Sequence, residues 1–385
     1  MSSPSVRKVG VEEELLLVDP ATGELVTAAG AVLHEHRVEH RVEHRIEQGT
    51  EQGTGQRSTE EDLEGELLQH MVETHTDPSS DLREIERALR AARLTAHTAA
   101  QESGWALAAV AVPPLGPADP AVSANPRYER IVQEFGDVGR RAGTLGMHVH
   151  VDVADDEEAV RVVDGLRPWL PLLVALSANS PYAGGRDTGY ASWRYQVWSR
   201  WPSAGTSEPF GSVEEYRRVS ESLVRLGAAL DAGMLYYDAR LAADFPTVEI
   251  RVADTCTEVE DALLVVALAR ALVETVAGEP APAPAVRSDL LRAAGWRASR
   301  DGTNGDLVHP VSWDVVPAKV ALEALVERVA PALAAAGDTD LVDEGLARLS
   351  ATGTGARRQR AAYERTQDLQ AVVGDLVERT SRSVA

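Results

Sequence analysis

The sequence predicts an α+β fold in which a mainly antiparallel sheet carries helices on one face. Two observations lead to this prediction. Several short stretches have apolar residues at every second position, and longer stretches between them have apolar residues at helical spacing. These elements do not follow the strict strand–helix–strand alternation that a doubly wound parallel sheet requires.

The strands are predicted from period-two alternation, in which successive side chains point to opposite faces. The stretch "KVGVEEELLLVD" is the first of them, and "GMHVHVDV" places Met147, Val149 and Val151 on an apolar face. Two prolines end the short apolar run "WALAAVAVPP". The predicted strands are residues 8–19, 69–76, 105–114, 146–153 and 246–254.

The helices are predicted from apolar residues three and four positions apart and from N-cap signals. Asp81 is the predicted N-cap of the first helix. Ser212 with Glu215, and Thr257 with Glu260, have the spacing of a capping box. The predicted helices are residues 81–103, 127–143, 156–178, 212–230 and 257–278, and the chain beyond the connector "GEPAPAPA" is mostly helical.

The composition restricts the classes of function. The net charge of −22 argues against broad binding to nucleic acid or to an anionic membrane. No apolar run is long enough to cross a bilayer, and the first residues lack the apolar core of a signal peptide. The single cysteine, Cys256, excludes an internal disulfide and fits a reducing cytoplasm. Lys8 and Lys319, the only lysines, are not in a P-loop context.

The segment "HRVEHRVEHRIEQGTEQGTGQ", residues 36–56, is a tandem repeat. In a helix its four-residue period would place like charges at i and i+4, which is unfavourable. One interpretation is a histidine-rich metal-binding tract. The interpretation we favour is a low-complexity insertion that forms a surface loop or a hairpin arm.

The second face of several predicted strands carries carboxylate, imidazole or guanidinium groups. Taken singly, an H-x-H pair is typical of structural or solvated histidines, and an E-E-E run of a charged strand edge. Their recurrence on several strands favours a site, because carboxylates that converge on one surface repel each other unless cations are bound. The residues on these polar faces are Glu12, Glu14, Glu73, His75, His148, His150, Asp152, Glu249 and Arg251.

This mixture of side chains indicates the kind of ligand. Carboxylates with one or two histidines suit the hard divalent cations Mg²⁺ and Mn²⁺. Magnesium is usually held by a few carboxylates together with substrate phosphates. The sequence therefore predicts a metal–nucleotide site that lies on a sheet.

Five ordered motifs carry a resemblance to a known family. They are "VGVEEELLLVD", "ELLQHMVETHT", "GMHVHVDV", "LSANSPYAGGRDTGYASWR" and "TVEIRVADTCTEVEDAL". They resemble the carboxylate–amine ligases of the glutamate–cysteine ligase type 2 family, which is similar to the wider glutamine synthetase and guanido kinase fold group. The resemblance extends from about Lys8 to the C-terminal helix and implies a single domain over residues 1–385, with 36–56 as an insertion.

The fold that the resemblance implies is more specific than the strand pattern alone. It is a curved, mainly antiparallel sheet that forms a funnel, with helices packed on its outer face. The implied cofactors are ATP and Mg²⁺ (or Mn²⁺), which would lie on the concave face. The polar side of "GMHVHVDV" should therefore line the funnel.

The resemblance also implies roles for individual residues. Arg251 matches a phosphate- or substrate-facing arginine. Arg186 and Arg194 fall in a motif expected to meet a substrate carboxylate or phosphate, and Arg194 and Arg251 are the residues expected to contact ATP. The implied metal ligands are Glu12, Glu14, Glu66, Glu73, His148 and Glu249.

The sequence departs from the family pattern at two places. Many relatives are closer to S-Q-V-E where this chain has "QHMVETHT", and the histidine-rich repeat lies just upstream. Both departures lie near the expected substrate wall. The resemblance therefore leaves the identity of the substrates open even where it implies the chemistry.

The implied reaction is ATP-dependent amide formation through an acyl phosphate. Its partners would be a small-molecule amino acid and an amine, glutamate and cysteine by resemblance, and the enzyme would be cytoplasmic, with a homodimer as the assembly considered. One alternative is a metal-dependent hydrolase that uses His148 and His150 on zinc. The missing H-E-x-x-H motif and the excess of carboxylates over histidines argue against it. A non-catalytic metal- or nucleotide-binding protein is the third hypothesis.

Three tryptophans lie close together in the chain beside the arginine motif, at positions 193, 198 and 201. We predict that at least one of them lines the nucleotide or substrate pocket. Simple core packing is the competing interpretation, because tryptophan is usually well buried.

Overall fold

The computed structural model describes residues 6–35, 63–117, 120–243, 245–279 and 286–384. The repeat at 36–56 and most of the Pro/Ala connector lie outside the described residues. The interpretation of the repeat as an insertion therefore stays a prediction.

An antiparallel sheet lies at the centre of the described chain. The short strand β4 (Ala106–Ala108) pairs with the end of β1, and every pairing of the sheet among the described residues is antiparallel. The α+β class with a mainly antiparallel sheet is thus confirmed. In spatial order the other strands are β2 (Leu63–Gly65), β3 (Met71–His75), β1 (Val9–Val18), β5 (Gly146–Asp152), β9 (Thr247–Asp254) and β8 (Ala239–Leu241).

Two small hairpins lie outside this sheet. One pairs β6 (Tyr182–Ala183) with β7 (Arg186–Asp187), and the other pairs β10 (Asp306–Val308) with β11 (Val315–Pro317). Each consists of strands too short to form a layer of its own.

Helices supply most of the remaining described structure. The first, α1, covers residues 29–35. Short 3₁₀ turns are present at Ala232–Met234 and Gly302–Asn304. The other helices are α2 (Leu82–Glu102), α3 (Pro126–Phe135), α4 (Asp137–Arg140), α5 (Asp156–Leu166), α6 (Leu170–Ser177), α7 (Trp193–Trp198), α8 (Val213–Arg225), α9 (Val259–Ala277), α10 (Ser288–Asp301), α11 (Ala318–Ala336), α12 (Thr339–Thr352), α13 (Gly355–Thr366) and α14 (Leu369–Arg382).

The apolar face of the sheet packs against helices. Met147, Val149 and Val151 of β5 are fully buried, in one core cluster with Val248 and Ile250 of β9 and with residues of α2, α5, α6 and α9. Helix α9 contacts β5 as well as α11 and α12. It is apolar around most of its circumference, as expected for a helix with packed neighbours on several sides.

A β-bulge interrupts the pairing of β5 with β9. Met147 pairs with Ala253 and Val149 pairs with Ile250, so β9 has one more residue than β5 in this interval. The extra residue falls at Arg251 or the position after it, opposite His148. Bulges redirect side chains and are frequent beside functional sites.

Several predicted elements are shorter than their patterns suggest, among them the helix predicted at 212–230, which ends at Arg225. The predicted strand at 105–114 is limited to Ala106–Ala108. The helix predicted at 127–143 breaks at Gly136, whose φ of 56° is open to glycine but unfavourable for other residues. The helix predicted at 156–178 ends at Leu166 and restarts at Leu170, because Pro168 has no N–H to continue the first segment.

The N-cap predictions have mixed outcomes. Asp81 accepts a hydrogen bond from the backbone N–H of Arg83, and Ser212 accepts one from Glu215, so these two caps are confirmed. The prediction for Thr257 is wrong, because the N-cap of α9 is Glu258 and no side chain caps it. The Thr257 hydroxyl instead donates to the carbonyl of Ala109 at 2.9 Å, so it is used to join the helix start to the segment after β4.

Candidate active site

The register of the antiparallel pairs aligns the polar strand faces in three rows across the sheet. Neighbouring rows are two residues apart along each strand, and side chains at that spacing lie on the same face. The rows are Glu64–Glu73–Glu14, His75–Glu12–His148 and His150–Glu249–Arg240. The structure thereby gathers on one surface the acids and histidines that the sequence distributes over strands far apart in the chain.

Glu12, His148 and Glu249 form the first group of potential metal ligands. Nδ1 of His148 lies 3.2 Å from Glu12 Oε2 and 3.9 Å from Glu249 Oε1. Nε2 of His150 lies 3.2 Å from the other oxygen of Glu12. Glu12 and Glu249 therefore lie on the same side of the sheet and meet at His148.

Glu14, Glu73 and His148 form the second group, in which one ligand atom of each lies within 4.8 Å of the others. Glu66, which follows β2, lines the same cavity. Nε2 of His148 is buried and has no hydrogen-bond partner among the described residues. A buried polar atom without a partner is costly, which indicates that this nitrogen binds a further group.

Burial sets the protonation of the second group. Together with the neighbouring carboxylate of Glu66 it raises the pKa of Glu14 to about 8, and the same two causes raise the pKa of Glu73 well above its usual value. Burial and the charge of Arg251 lower the pKa of His148 to about 4. The imidazole is therefore neutral at pH 7 and able to bind a metal, while the crowded carboxylates would lose protons when a cation binds.

Glu249 is buried between two arginines. Arg240 donates from Nε to Glu249 Oε2 at 2.6 Å, and Arg251 donates to Glu249 Oε1. Burial by itself would raise the pKa of Glu249, but the charges of Arg251 and Arg240 lower it to about 2. Glu249 is therefore ionised at neutral pH, with both oxygens already in use.

A cavity of about 240 Å³ opens beside these carboxylates. One wall is aromatic: the rings of Trp198 and Tyr236 have centroids 4.5 Å apart. The guanidinium of Arg251 lies 5.7 Å from the centroid of each ring, which favours its positive charge in a mostly desolvated place. The ionisable side chains that line it include Glu12, Glu14, Glu66, Glu73, Arg127, His148 and Arg251.

A second cavity, of about 580 Å³, lies on the other side of Glu12, which lines both. Its wall includes His75, His150, Thr247 and Phe245. Glu12 therefore lies where the two cavities meet, and a ligand in either one can reach it. Of the other metal-ligand candidates, Glu14, Glu66, Glu73 and His148 line the smaller cavity only, and Glu249 lies behind Glu12 and His148 without lining either cavity.

Arg194 lies close to the site but does not line either of the two cavities. It is 1% exposed and donates from Nη2 to the carbonyl of Arg251 at 3.2 Å. Gly146 makes this packing possible, because a Cβ there would lie 2.1 Å from Nη2 of Arg194. The N–H of Gly146 donates to Glu14 at 2.6 Å. In this position Arg194 can hold Arg251 and the strand segment that binds Glu14 in place without contacting a ligand in either cavity.

Arg186 is exposed in β7 and lines neither cavity. The next residue, Asp187, pairs with Arg360 of α13 at 2.8 Å. The structure thus does not bring Arg186 together with the other residues, and its role toward a substrate or phosphate stays a prediction.

Two of the three clustered tryptophans line the smaller cavity. Trp198 and Trp201 are part of its wall, whereas the ring of Trp193 packs at a tilt against Tyr190, with ring centroids 5.3 Å apart.

Sequence reasoning missed several residues at the site. Arg240 pairs with Glu249 across β8 and β9. In the sequence between them, the Asp and Pro of "ADFP" were the available signal for a loop. Arg127, near the start of α3, and Tyr236 line the smaller cavity but have no motif of their own. A three-residue strand and a helix terminus give little periodicity from which to assign a face.

No helix in the described part of the chain combines the length and the apolar composition needed to span a bilayer.

Comparison with known proteins gives a family match over nearly the whole chain. The model of glutamate–cysteine ligase family 2 matches residues 8–378. A protein of Nocardioides sp., provisionally named glutamate–cysteine ligase 2-1, is 51% identical over 98% of this chain and 97% of its own length. A protein of Frankia alni, provisionally named glutamate–cysteine ligase 2-2, is 48% identical over 100% of both chains.

Solved structures share the fold at low sequence identity. A bifunctional glutathione synthetase from Pasteurella multocida superposes with a TM-score of 0.70 at 16% identity, over 98% of this chain and 52% of that chain. A glutamate–cysteine ligase from Francisella tularensis, in complex with AMP, has a TM-score of 0.66 at 12% identity, over 99% and 89%. At these identities the likeness concerns the fold alone.

Proposed function

The chain belongs to glutamate–cysteine ligase family 2, and we propose that it is an ATP-dependent ligase that forms an amide from a carboxylate and an amine. One observation carries the proposal. The ligand group of Glu12, His148 and Glu249 lies beside Arg251, with Glu12 at the junction of two cavities. Such a junction suits a reaction in which a phosphoryl group passes from one bound molecule to another.

The reaction follows from the chemistry of a carboxylate, which is a poor acyl donor. A substrate carboxylate oxygen attacks the γ-phosphorus of ATP, the bond to the bridging oxygen breaks, and ADP leaves. The amine nitrogen then attacks the acyl carbon, phosphate leaves, and the nitrogen loses a proton to give the amide. No side-chain nucleophile is required, so Cys256, which is buried, has no part in it.

The residues fit a hard divalent cation, Mg²⁺ or Mn²⁺. The donors are carboxylate oxygens and one neutral imidazole, and the buried Nε2 of His148, which has no hydrogen-bond partner among the described residues, could bind such a cation. The proposed ligands are Glu12, Glu14, Glu66, Glu73, His148 and Glu249. When bound, the cation neutralises phosphate charge and polarises the transferring phosphoryl group.

Arginines supply the remaining positive charge. We assign Arg251 to the transferring phosphoryl group, because its guanidinium lines the cavity within reach of the ligand carboxylates. We assign Arg194 an indirect role: it donates a hydrogen bond to the backbone carbonyl of Arg251 and fills the space beside Gly146. Arg186 would need a movement of its hairpin to contribute.

The two cavities suggest how the ligands divide. We assign the nucleotide to the larger cavity, the side of His150 and Phe245, and the amino acid to the smaller one. Arg127 at the smaller cavity pairs with Asp231 at 2.9 Å and is about half exposed, so it is the candidate to bind a substrate carboxylate. Glutamate and cysteine are the substrates that the names of the relatives suggest.

The hydrolase alternative is not favoured. His148 and His150 both approach Glu12, but carboxylates outnumber histidines around them, and the family is one of ligases. A cytoplasmic location and a homodimer stay predictions from the sequence.

The test is amino-acid-dependent release of ADP from ATP by the purified chain, with a panel of amino acids and amines and with Mg²⁺ or Mn²⁺. We expect turnover only when carboxylate, amine and cation are all present, and an amide product of the matching mass. Hydrolysis of an ester or amide without ATP, or binding of Mg·ATP with no turnover on any pair, would contradict the proposal.

A further inference from the structure

Arg240 of β8 has an unusual set of contacts for a residue that no motif indicates. One edge of its guanidinium faces Glu249: Nε donates to Oε2 at 2.6 Å and Nη2 donates to Oε1 at 3.3 Å. The third nitrogen, Nη1, donates to the carbonyls of Gly233 at 2.8 Å and Leu235 at 3.1 Å. One buried side chain thus ties the proposed metal ligand to a turn of the backbone.

That turn forms part of the wall of the smaller cavity. Gly233 lines the cavity, and Tyr236, next to Leu235, contributes a ring to it. The Tyr236 ring contacts Trp198 and lies 5.4 Å from Trp201, centroid to centroid. Any shift of the turn therefore moves the aromatic wall against which a substrate would lie.

Glu249 has only two oxygens, and both are in use. Oε1 accepts from Arg251 and lies 3.9 Å from His148 Nδ1, whereas Oε2 accepts from Arg240. A cation held by Glu249 must share these oxygens with the arginines. The guanidinium of Arg240 then has to move relative to Glu249. Because Nη1 of the same group is bonded to the carbonyls of Gly233 and Leu235, this movement shifts the turn as well.

We propose that Arg240 is a positioning residue that couples cation binding at Glu249 to the shape of the substrate cavity. The inference rests on the proposed function for the identity of the cation and for the assignment of the amino acid to the smaller cavity. It requires a planar group with donors on two edges, because a lysine ammonium can pair with Glu249 but cannot also span the two carbonyls. Arg240→Lys therefore keeps the charge beside Glu249 and removes the connection.

The experiment measures cation occupancy and cavity shape separately, with Mg²⁺ alone as the probe. Calorimetry gives the dissociation constant of Mg²⁺. Tryptophan fluorescence reports on the wall through Trp198 and Trp201, two of the seven tryptophans of the chain. In the wild type we expect the fluorescence to change in step with occupancy. In Arg240→Lys we expect Mg²⁺ to bind with a constant within about threefold of wild type, while most of the fluorescence change is lost.

Steady-state kinetics provide an independent measurement. If the wall is no longer positioned, KM for the amino acid should rise about tenfold, a typical coupling between sites, with KM for ATP and kcat changed much less. Arg240→Gln is the second variant, since its amide reaches one partner but not both. Arg217→Gln is the control. Arg217 and Arg240 both line a third cavity, of about 490 Å³, but Arg217 pairs with Asp156 at the surface, so the variant should behave as wild type.

Two outcomes would overturn the inference. One is a wild-type protein whose fluorescence does not respond to bound Mg²⁺, and the other is folded Arg240 variants whose response equals that of wild type. Failure of the proposed ligase function would look different, since the wild type would then release no ADP with any substrate pair. The binding and fluorescence arms would still decide the role of Arg240.

Discussion

Glu249 is both a candidate metal ligand and the shared ion-pair partner of two arginines. From the strand pattern alone, Glu249→Gln is predicted to change folding little, and the relief of carboxylate crowding would, if anything, stabilise the protein. The structure reverses that expectation, because Glu249 lies between Arg240 and Arg251. Neutralising it leaves two guanidinium groups without their shared partner.

We therefore predict two effects of Glu249→Gln. Turnover should fall by about two orders of magnitude, as on loss of one preorganised electrostatic group. The free energy of unfolding should fall by about 3 kcal/mol, the range for breaking a buried ion pair. ADP release over a metal titration and a denaturant melt measure the two. Wild-type turnover in a folded variant would remove Glu249 from the site.

Asp238 gives a pH-dependent prediction that does not involve the metal ligands. It is buried and accepts a hydrogen bond from Tyr195, and burial raises its pKa from an ordinary 3.8 to about 7. Because the folded-state pKa is the higher one, stability is fully present below pH 3.8 and is lost as the pH rises through 7.

Asp238→Asn keeps the acceptor and removes the charge. The variant should gain stability relative to wild type as the pH rises from 5 to 8, by an amount on the order of a few kcal/mol. Melting temperatures of both proteins over this pH range measure the difference. A constant difference at all pH values would show that Asp238 does not titrate as the structure indicates.

At the scale of an element, strand β1 has candidate metal ligands on one face and a buried structural ion pair on the other. Glu12 and Glu14 face the cavities, whereas Glu13 points to the helices and is fully buried against Arg93 of α2, with two N–O contacts of 2.6 and 2.8 Å. Arg93 also donates to the carbonyls of Cys256 and Thr257. This pair therefore fastens the central strand, α2 and the start of α9 together.

Substitutions of the adjacent residues Glu12 and Glu13 should therefore have different effects. Glu13→Gln is expected to lower the free energy of unfolding by about 3–5 kcal/mol, since it leaves Arg93 buried and unpaired, with little change in Mg²⁺ affinity. Glu12→Gln should weaken Mg²⁺ binding by about tenfold or more, a loss that even outer-sphere changes produce, with a smaller change in stability. Calorimetry and denaturant melts on both variants measure the contrast, and equal effects on both quantities would contradict it.

At the scale of the whole molecule, the repeat at 36–56 is predicted to be dispensable for folding. Its period provides no continuous apolar stripe, and longer surface loops cost little extra closure entropy, about 0.6 kcal/mol for each doubling. A chain without these residues should melt within a few degrees of the full chain. A large fall in melting temperature would show that the repeat packs against the fold.

The sequence predicted which segments form strands and helices better than it predicted where these elements begin and end. Period-two patterns identified β1, β3, β5 and β9, because one face of each is buried and the alternation is strong. The helix at 156–178 was joined across Pro168, and Thr257 was taken for a cap, because local patterns do not show where a chain turns or which partner a hydroxyl finds. Arg240 lies on a strand of three residues, which is too short for its face to be read.

By itself the sequence determined the α+β class, the polar faces of the strands, and the family through its five motifs. These are properties of residue type and spacing along one strand, and side-chain alternation fixes them locally. Only the tertiary structure decided which polar faces adjoin. The register of β1 with β3 and β5 and of β9 with β5 and β8, with the bulge opposite His148, brings Glu14 next to Glu73, Glu12 next to His148 and Glu249 next to Arg240. Register depends on contacts between segments far apart in the chain, so no local pattern specifies it.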